Sequence, residues 1–180
     1  ALYAYQIIYV AVALFHKKPM PMTAKKNHRY AVVIAARNEN TVIGNLIDSI
    51  KKQKYPQNLI DVFVVADNCT DNTADVAREA GAIVYERFNT QRVGKGYALS
   101  YVLNQIAQDY GANTYEGYFV FDADNLLDEN FVAEMNKQFD KGYRILTCYR
   151  NSKNYASNWI SAGYSLWFLR ESKYLNYPRT

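Results

Sequence analysis

Residues Tyr30–Ala36 read YAVVIAA, an unbroken apolar run that stops at the polar residues Arg37, Asn38 and Glu39. An apolar run of this length, without alternation, is typical of a strand that is buried on both faces of a parallel sheet. In open α/β sheets, ligands bind at the carboxyl ends of the strands. The run therefore predicts a central strand, and the polar residues that follow it are candidates for a binding site.

Strands and helices alternate along the rest of the chain. Apolar residues at helical spacing predict a helix over 39–53, and Asp61–Ala66 (DVFVVA) predicts a second buried strand. Thr70 or Asp71 can cap a short helix that runs through Ala80. The same patterns predict, in order, a strand at Ala82–Glu86, a helix from Gly96 to about Tyr110, a strand at Tyr118–Phe121, a helix at Glu129–Phe139, a fifth strand at Arg144–Tyr149 and a helix from Asn151 to about Tyr174. This alternation predicts an α/β fold, a three-layer α/β/α sandwich with a mostly parallel sheet.

The composition is that of a globular protein, since 49% of the 180 residues are hydrophobic and 21% are charged. The first 29 residues carry five cations and no acid, so within a total of +4 the remainder has a net charge of −1. A nucleic-acid-binding body would present a basic face, and this near-neutral one predicts no nucleic-acid partner. Cys69 and Cys148 predict no disulfide. His16 and His28 lie among lysines and are interpreted as solvated.

The amino-terminal segment Ala1–Phe15 is apolar and is followed by the basic residues His16, Lys17 and Lys18. As a helix it reaches about 22 Å, less than the ~30 Å hydrocarbon core of a bilayer, so we interpret it as part of a longer membrane-spanning helix. The basic flank predicts a membrane-associated protein whose folded domain is cytoplasmic. An amphipathic or core helix is the alternative. The predicted organisation is an apolar helix and basic flank at 1–18, a proline-containing linker at 19–29, a binding domain at 30–150 and an aromatic-rich helical segment at 151–180.

The paired acids Asp122 and Asp124 directly follow the predicted strand Tyr118–Phe121. At a spacing of two in an extended chain, both side chains leave the same face. Two adjacent carboxylates repel each other and favour either a shared proton or a hard cation such as Mg²⁺ or Mn²⁺, which binds carboxylate and phosphate oxygens together. We interpret the pair as a metal site for an anionic substrate. A solvated turn whose acids cap a helix is the alternative.

Two further strand ends carry candidate binding groups. Gly94-Lys95-Gly96 precedes a predicted helix, where glycine backbone, helix start and ammonium all favour an anion. The Walker A and GxGxxG patterns do not occur, and an exposed turn is the alternative. Asp67 ends the second strand, where its carboxylate can accept from a nucleobase or a ribose hydroxyl or, alternatively, cap the next helix.

Together these stretches resemble the family 2 glycosyltransferases of the GT-A fold, and within them the membrane-embedded branch that includes cellulose and hyaluronan synthases. The resemblance spans about Tyr30 to Arg150 and implies a Rossmann-like sheet. The motifs that carry it are Ile34–Glu39 (IAARNE), Val64–Asp71 (VVADNCTD), Arg92–Gly96 (RVGKG) with Ala98-Leu99, and Asp122–Asp124 (DAD), which are similar to the family's VPAYNE, VVDDGSTD, GKxxAL and DxD segments.

The resemblance implies an inverting transferase that moves a sugar from a nucleotide donor, preferably UDP-linked, to a glycan or lipid-linked hydroxyl acceptor, with Mg²⁺ or Mn²⁺ as cofactor. It implies that Asp67 reads the uracil, that Lys95 lies near the diphosphate, and that Asp122 contacts ribose or sugar. The full set of implied donor-binding residues is Ala36, Arg37, Glu39, Asp67, Asn68, Lys95 and Asp122, and the implied metal ligands are Asp124 and Asp122.

The sequence also departs from the family pattern. Ala35 replaces the usual proline, Arg37 the usual tyrosine, and Ala66 the first aspartate of the second motif. The family's general base, an aspartate in a later Glu-Asp segment, and its Gln-x-x-Arg-Trp segment do not occur before Thr180, so we expect this sequence to hold the donor-binding half of a longer protein. Two alternatives stay open: a nucleotidyltransferase that makes sugar nucleotides, and a non-catalytic nucleotide-binding or membrane-scaffolding domain.

Overall fold

The computed structural model describes most of the chain, and the residues it describes are Ile8, Ala11, 23–148, 150–152 and 157–171. The chain divides into two compact units. One is Thr23–Arg144, and the other combines Ala1–Met22 with Ile145–Thr180. Every strand within the described residues belongs to Thr23–Arg144.

The centre of Thr23–Arg144 is a parallel sheet in which the strands lie in the order β3-β2-β1-β4. These strands are β1 (Tyr30–Ala36), β2 (Ile60–Asp67), β3 (Ile83–Arg87) and β4 (Gly117–Asp122). Tyr30 of β1 is in register with Ile60 on one side and Gly117 on the other. The side chains from Ala31 to Ile34 are fully buried. The prediction of a central strand that is buried on both faces is therefore confirmed.

Helices cover both faces of this sheet. They are α1 (Ile43–Lys51), α2 (Thr73–Glu79), α3 (Lys95–Tyr110) and α4 (Phe131–Asp140), with a 3-10 helix at Gln57–Leu59. Val32 and Ile34 pack in a cluster with apolar residues of α1, α2 and α4. Ala31 and Val33 point to the other face and pack with α3. Because neighbouring residues of a strand point to opposite faces, the apolar run of β1 supplies both halves of the core, and the predicted three-layer sandwich is confirmed.

The helices after β1 and β2 begin later than the sequence predicts. Helix α1 begins at Ile43 instead of 39, because Asn38 adopts a left-handed φ of 57° and the carbonyl of Glu39 closes turns with the amides that follow. Helix α2 begins at Thr73 with Asn72 as its N-cap residue, so the predicted cap at Thr70 or Asp71 is wrong by one to two residues. Gly81, with a φ of 85°, ends this helix as predicted.

The predicted fifth strand at Arg144–Tyr149 is wrong for its described residues. Arg144–Cys148 adopt no regular structure, and Ile145 is 90% exposed; Tyr149 lies outside the described residues. A strand persists only where a neighbour satisfies its backbone hydrogen bonds. Within the described part of the chain the sheet ends at β4, so the apolar pattern of this segment is not matched by a pairing partner.

The described part of the second unit is mainly α5 (Trp159–Leu169). Its N-cap residue Asn158 accepts a hydrogen bond from the amide of Ser161 at 2.9 Å. The helix is therefore shorter than the predicted Asn151–Tyr174, although residues 153–156 and 172–174 lie outside the described part. Its aromatic residues include the exposed Trp159 and Trp167.

Among the described residues, no helix combines the length and the apolar character needed to cross a bilayer. The predicted apolar helix at 1–18 lies outside the described residues, apart from Ile8 and Ala11, which are helical.

Candidate functional site

The residues that the sequence analysis selected lie along one edge of the sheet, which we call the carboxyl edge. Asp67 ends β2 and Asp122 ends β4. Strand register places Ala36 beside Ala66 and Ala35 beside Asp122. Asp67 and Asp122 therefore flank the central strand on either side. With neighbouring strands about 4.8 Å apart, the two backbones are separated by roughly 10 Å at this edge.

Asp67 is held by a buried ion pair. Its partner is Arg87, which strand register places directly opposite on β3, and both side chains are only 8% exposed. Nη2 of Arg87 also donates to the carbonyl of Arg92 at 2.6 Å, which fixes the guanidinium. The hydrogen bonds to Asp67 fall on Oδ1, from Arg87 and Asn68. Within the described residues, Oδ2 receives none and remains the oxygen that can accept from a ligand.

Sequence analysis missed Arg87. The predicted third strand stopped at Glu86, one residue before it, so Arg87 was assigned to a loop. The structure extends β3 to Arg87 and places it in register with Asp67. The sequence does contain an arginine close to the end of the third predicted strand that could pair with Asp67, but the strand register that brings the two side chains together cannot be read from the sequence.

The amide of Asn68 holds the turn after β3. Its Oδ1 accepts from the amide of Asn89 at 2.8 Å, and its Nδ2 donates to the carbonyl of Asn89 at 3.1 Å. Asn68 has a φ of 52°, a left-handed conformation in which asparagine is enriched. The structure thus gives Asn68 a positioning contact beside Asp67, and its amide is already engaged.

The loop after β1 is tied to the loop after β2. Oδ1 of Asn38 accepts from the amide of Thr70 at 2.8 Å, and the amide of Glu39 donates to the hydroxyl of Thr73 at 2.8 Å. Ala36 is buried beneath this loop, whereas Arg37 is exposed. Among the described residues, neither Arg37 nor Glu39 forms an ion pair. Both charged groups therefore remain available to a ligand at this edge.

A second set of contacts joins the same loops. Nδ2 of Asn40 donates to Oδ1 of Asn72 at 2.7 Å, and Asp71 accepts from the amide and the hydroxyl of Thr73 at 3.0 and 2.5 Å. The hydrogen bond from the Thr73 hydroxyl, assisted by backbone amides, holds the pKa of Asp71 below its ordinary value. The two loops consequently form one connected surface beside Asp67.

Lys95 and Asp122 form an ion pair across the edge. Asp122 lies on the face of the sheet that α3 covers, because it is in register with Ala35 and alternates with the residues packed beneath that face. Lys95 is the first residue of α3, after Gly94, whose φ of 128° favours glycine. Lys95 and Asp122 therefore lie in contact at this edge, although both side chains are about half exposed.

Asp122 and Asp124 are exposed on either side of Ala123, which is buried. Asn125 orders the turn: its Oδ1 accepts from the amide of Asp122 at 3.3 Å, and its Nδ2 donates to Asp124 at 3.2 Å. Both carboxylates reach solvent, but Asp124 lies in the turn after β4, so the extended backbone on which the same-face prediction depends ends at Asp122.

The donor set at Asp122 and Asp124 fits Mg²⁺ or Mn²⁺ bound together with a phosphate. In the part of the chain that the structure describes, no group of three or more His, Cys, Asp or Glu side chains is placed to hold a metal. Two exposed carboxylates are too few for a closed protein cage. They match the usual mode of Mg²⁺, which takes one or two carboxylates and completes its shell with water and substrate phosphates.

A cavity of about 460 Å³ lies at the opposite edge of the sheet, which we call the amino edge. It is lined by His28, Glu116, Asp140 and neighbouring residues. The imidazole of His28 lies between the two acids, 2.8 Å from Glu116 and 3.1 Å from Asp140. The sequence interpretation of His28 as solvated is therefore wrong, since its side chain is 14% exposed. These charges are already paired with one another and are remote from the carboxyl edge.

The family model described as "Glycosyltransferase like family 2" matches residues 28–175. The chain belongs to this glycosyltransferase family. A stretch of 84 residues is 40% identical to the 4,4'-diaponeurosporenoate glycosyltransferase of Staphylococcus aureus, and it spans 46% of this chain and 21% of that relative. This family 2 chain thus matches only about a fifth of the curated relative's length.

Two solved structures share the fold of this family 2 chain. A mannosyltransferase from Pyrobaculum calidifontis in complex with GDP-Man and Mn²⁺ aligns with a TM-score of 0.57 and 22% identity, over 77% of this chain and 40% of that one. TarS 1–349 of S. aureus in complex with UDP-GlcNAc aligns with a TM-score of 0.51 and 20% identity, over 63% of this chain and 31% of that one. The GT-A-like α/β fold that the resemblance implied is confirmed.

Proposed function

We propose that the protein of which this chain forms at least a part is an inverting glycosyltransferase that uses a nucleotide sugar and a divalent metal. The observation that carries the proposal is the placement of Asp67, Lys95, Asp122 and Asp124 along one sheet edge in a family 2 domain. The names of the structural relatives support the donor class, since one is complexed with GDP-Man and Mn²⁺ and another with UDP-GlcNAc.

The nucleoside end of the donor is assigned to the β2 side of the edge. Oδ2 of Asp67 accepts from the N–H of the base, while Oδ1 of the same carboxylate accepts from Arg87. The loop from Ala36 to Glu39 borders the nucleotide, and Arg37 supplies an exposed cation. A base with an N–H facing Asp67 is what this acceptor selects, and uracil meets that requirement.

The diphosphate end is assigned to the β4 side. Asp124 and Asp122 would hold the metal, which would neutralise negative charge on the diphosphate leaving group. Lys95 donates to the same phosphate oxygens from the start of α3. In the transfer step the acceptor hydroxyl oxygen forms the new bond to the anomeric carbon as the bond to the diphosphate oxygen breaks, and a general base takes the hydroxyl proton. We assign none of the described residues as that base.

The acceptor side of the proposal rests on the sequence. The apolar Ala1–Phe15 segment with its basic flank supports a membrane-associated protein whose transferase domain faces the cytoplasm. In that setting a growing glycan or a lipid-linked sugar is the acceptor. The S. aureus relative is named for a diaponeurosporenoate acceptor, which supports an apolar or lipid-linked molecule as one candidate class.

The test is calorimetric titration of the chain with UDP, with and without Mn²⁺. We expect UDP to bind in the presence of Mn²⁺ and Asp124→Asn to weaken that binding by more than about tenfold, because a charged metal ligand is lost. Asp48→Asn, which alters an exposed acid on α1, is the control and should leave binding unchanged. A folded wild-type chain that binds no UDP with Mn²⁺ would refute the proposal in favour of a scaffolding domain.

A further inference from the structure

The ion pair between Lys95 and Asp122 joins the proposed phosphate-binding cation to a proposed metal ligand. Both ends of the pair stand on fixed elements. Lys95 begins α3, which is anchored by the buried Val102 and Ile106, and Asp122 ends β4 in register with Ala35. In this structure the ammonium therefore pairs with one oxygen, Oδ1, of a carboxylate that the metal would use.

The Lys95–Asp122 pair is exposed enough for each side chain to exchange its partner for a ligand. The side chains of Lys95 and Asp122 are 48% and 61% exposed, and ion pairs in water are individually weak. This contrasts with Asp67 and Arg87, whose 8% exposure makes separation costly. A ligand with a stronger charge can consequently replace either member of the Lys95–Asp122 pair.

A divalent cation and a diphosphate affect this pair in opposite ways. A metal that approaches Asp122 alone must displace the ammonium or bind beside it, and like charges repel. A diphosphate that approaches Lys95 forms an ion pair with its ammonium, and the carboxylate of Asp122 then loses its counter-ion and can bind the metal. Each ligand therefore removes an obstacle to the other, and such coupling is reciprocal by thermodynamic necessity.

We propose that Lys95 acts as an exchangeable counter-ion that makes the binding of the divalent metal and of the diphosphate mutually dependent. In the ligand-free protein Lys95 neutralises Asp122 and keeps the metal affinity low. When the diphosphate binds, Lys95 transfers to it and Asp122 joins Asp124 as a metal ligand. This inference rests on the proposed function and extends it, because it assigns Lys95 a role toward the metal in addition to its role toward the phosphates.

The test measures Mn²⁺ binding directly, by electron paramagnetic resonance titration of the chain, alone and with UDP, against protein-free blanks. For the wild type we expect weak binding of Mn²⁺ that UDP strengthens. For Lys95→Met we expect Mn²⁺ alone to bind about two- to fivefold more tightly, the range that corresponds to losing one exposed ion pair, and UDP to strengthen it less. Lys95→Arg keeps the charge and should behave as the wild type does.

Two further arms identify the group that triggers the exchange. Inorganic pyrophosphate should strengthen Mn²⁺ binding to the wild type in the way that UDP does, whereas uridine should not. Lys141→Met, which removes an exposed cation after α4, is the matched control and should leave both titrations unchanged.

The outcomes separate this inference from the proposed function. If UDP strengthens Mn²⁺ binding equally in the wild type and in Lys95→Met, or if Mn²⁺ alone binds both equally, the counter-ion role is overturned while donor binding stands. If Mn²⁺ binds the wild type as tightly without UDP as with it, the coupling is overturned as well. If the folded wild type binds no UDP with Mn²⁺, both proposals fall together.

Discussion

The two edges of the same sheet use charge in opposite ways. At the amino edge, Asn136 is buried and accepts from the hydroxyls of Tyr30 and Tyr55 at 2.8 and 3.0 Å, while His28 is held between Glu116 and Asp140. At the carboxyl edge, the charged side chains of Asp122, Asp124 and Lys95 are exposed, and each makes few contacts.

The difference separates groups that hold the fold together from groups that can bind a ligand. Burial raises the pKa of Tyr55 to about 12 and also raises the pKa of Tyr30, so both hydroxyls stay protonated and donate to Asn136. A polar group committed in this way is costly to leave unpaired and stabilises the fold. The Asp67–Arg87 pair does not follow this division. It is buried like the pairs that stabilise the fold, but it lies at the carboxyl edge, where we propose that Asp67 also binds the donor.

The largest loss of stability is expected when the buried Asp67–Arg87 pair is broken. Arg87→Met leaves the Asp67 carboxylate buried without its counter-ion. We expect the free energy of unfolding to fall by about 3–5 kcal/mol, as for other broken buried pairs, and UDP binding to be lost. Urea denaturation followed by circular dichroism measures the first, and calorimetry the second.

Arg78→Met is the matched control for Arg87→Met. Arg78 also pairs with acids, Asp75 and Glu86, but its side chain is 45% exposed. We expect its loss to change the free energy of unfolding by no more than about 1 kcal/mol, because solvent screens exposed pairs. Equal destabilisation by the two variants would contradict the claim that burial distinguishes Arg87 from the exposed cations.

Much of the fold was predictable because it follows from local pattern. The uninterrupted apolar run of β1 depends on residues adjacent in sequence, and the structure confirms the strand that it predicts. The segment Arg144–Cys148 also contains apolar residues and was predicted as a strand, but it adopts none, because a strand also needs a pairing partner, which a local pattern cannot supply.

The parts of the site that were missed depend on contacts between distant residues. Arg87 and Asp67 are 20 residues apart in the sequence, and only the register of β2 with β3 brings their side chains into contact. His28 was interpreted as solvated because its sequence neighbours are basic, whereas its acidic partners lie 88 and 112 residues away. The residues next to His28 in the sequence therefore gave a wrong prediction of its surroundings, because its tertiary contacts come from distant parts of the chain.

The amino edge can be tested with Asn136→Ala. The change removes the acceptor of two buried tyrosine hydroxyls and the donor to the carbonyl of Lys26. We expect the free energy of unfolding to fall by about 2–3 kcal/mol, with UDP affinity unchanged when measured below the unfolding transition. Asn45→Ala, an exposed position on α1, is the control and should cause no loss of stability. A loss of UDP binding by folded Asn136→Ala would show that the two edges are not independent.

The smallest effect concerns acid stability. Hydrogen bonds from Lys26 and His28 lower the pKa of Glu116 to about 2 from an ordinary 4.5. A carboxyl whose pKa is lower in the folded state stabilises the fold above the unfolded pKa, and this contribution is lost as the pH falls from about 4.5 toward 2. We expect Glu116→Gln to flatten the dependence of the unfolding free energy on pH in that window. The effect should be modest, because Glu116 is 36% exposed and solvent screens it.

Glu134→Gln, which alters an exposed acid on α4, serves as the control for Glu116→Gln. The same flattening in both variants would assign the acid response to total charge instead of to the amino-edge contacts.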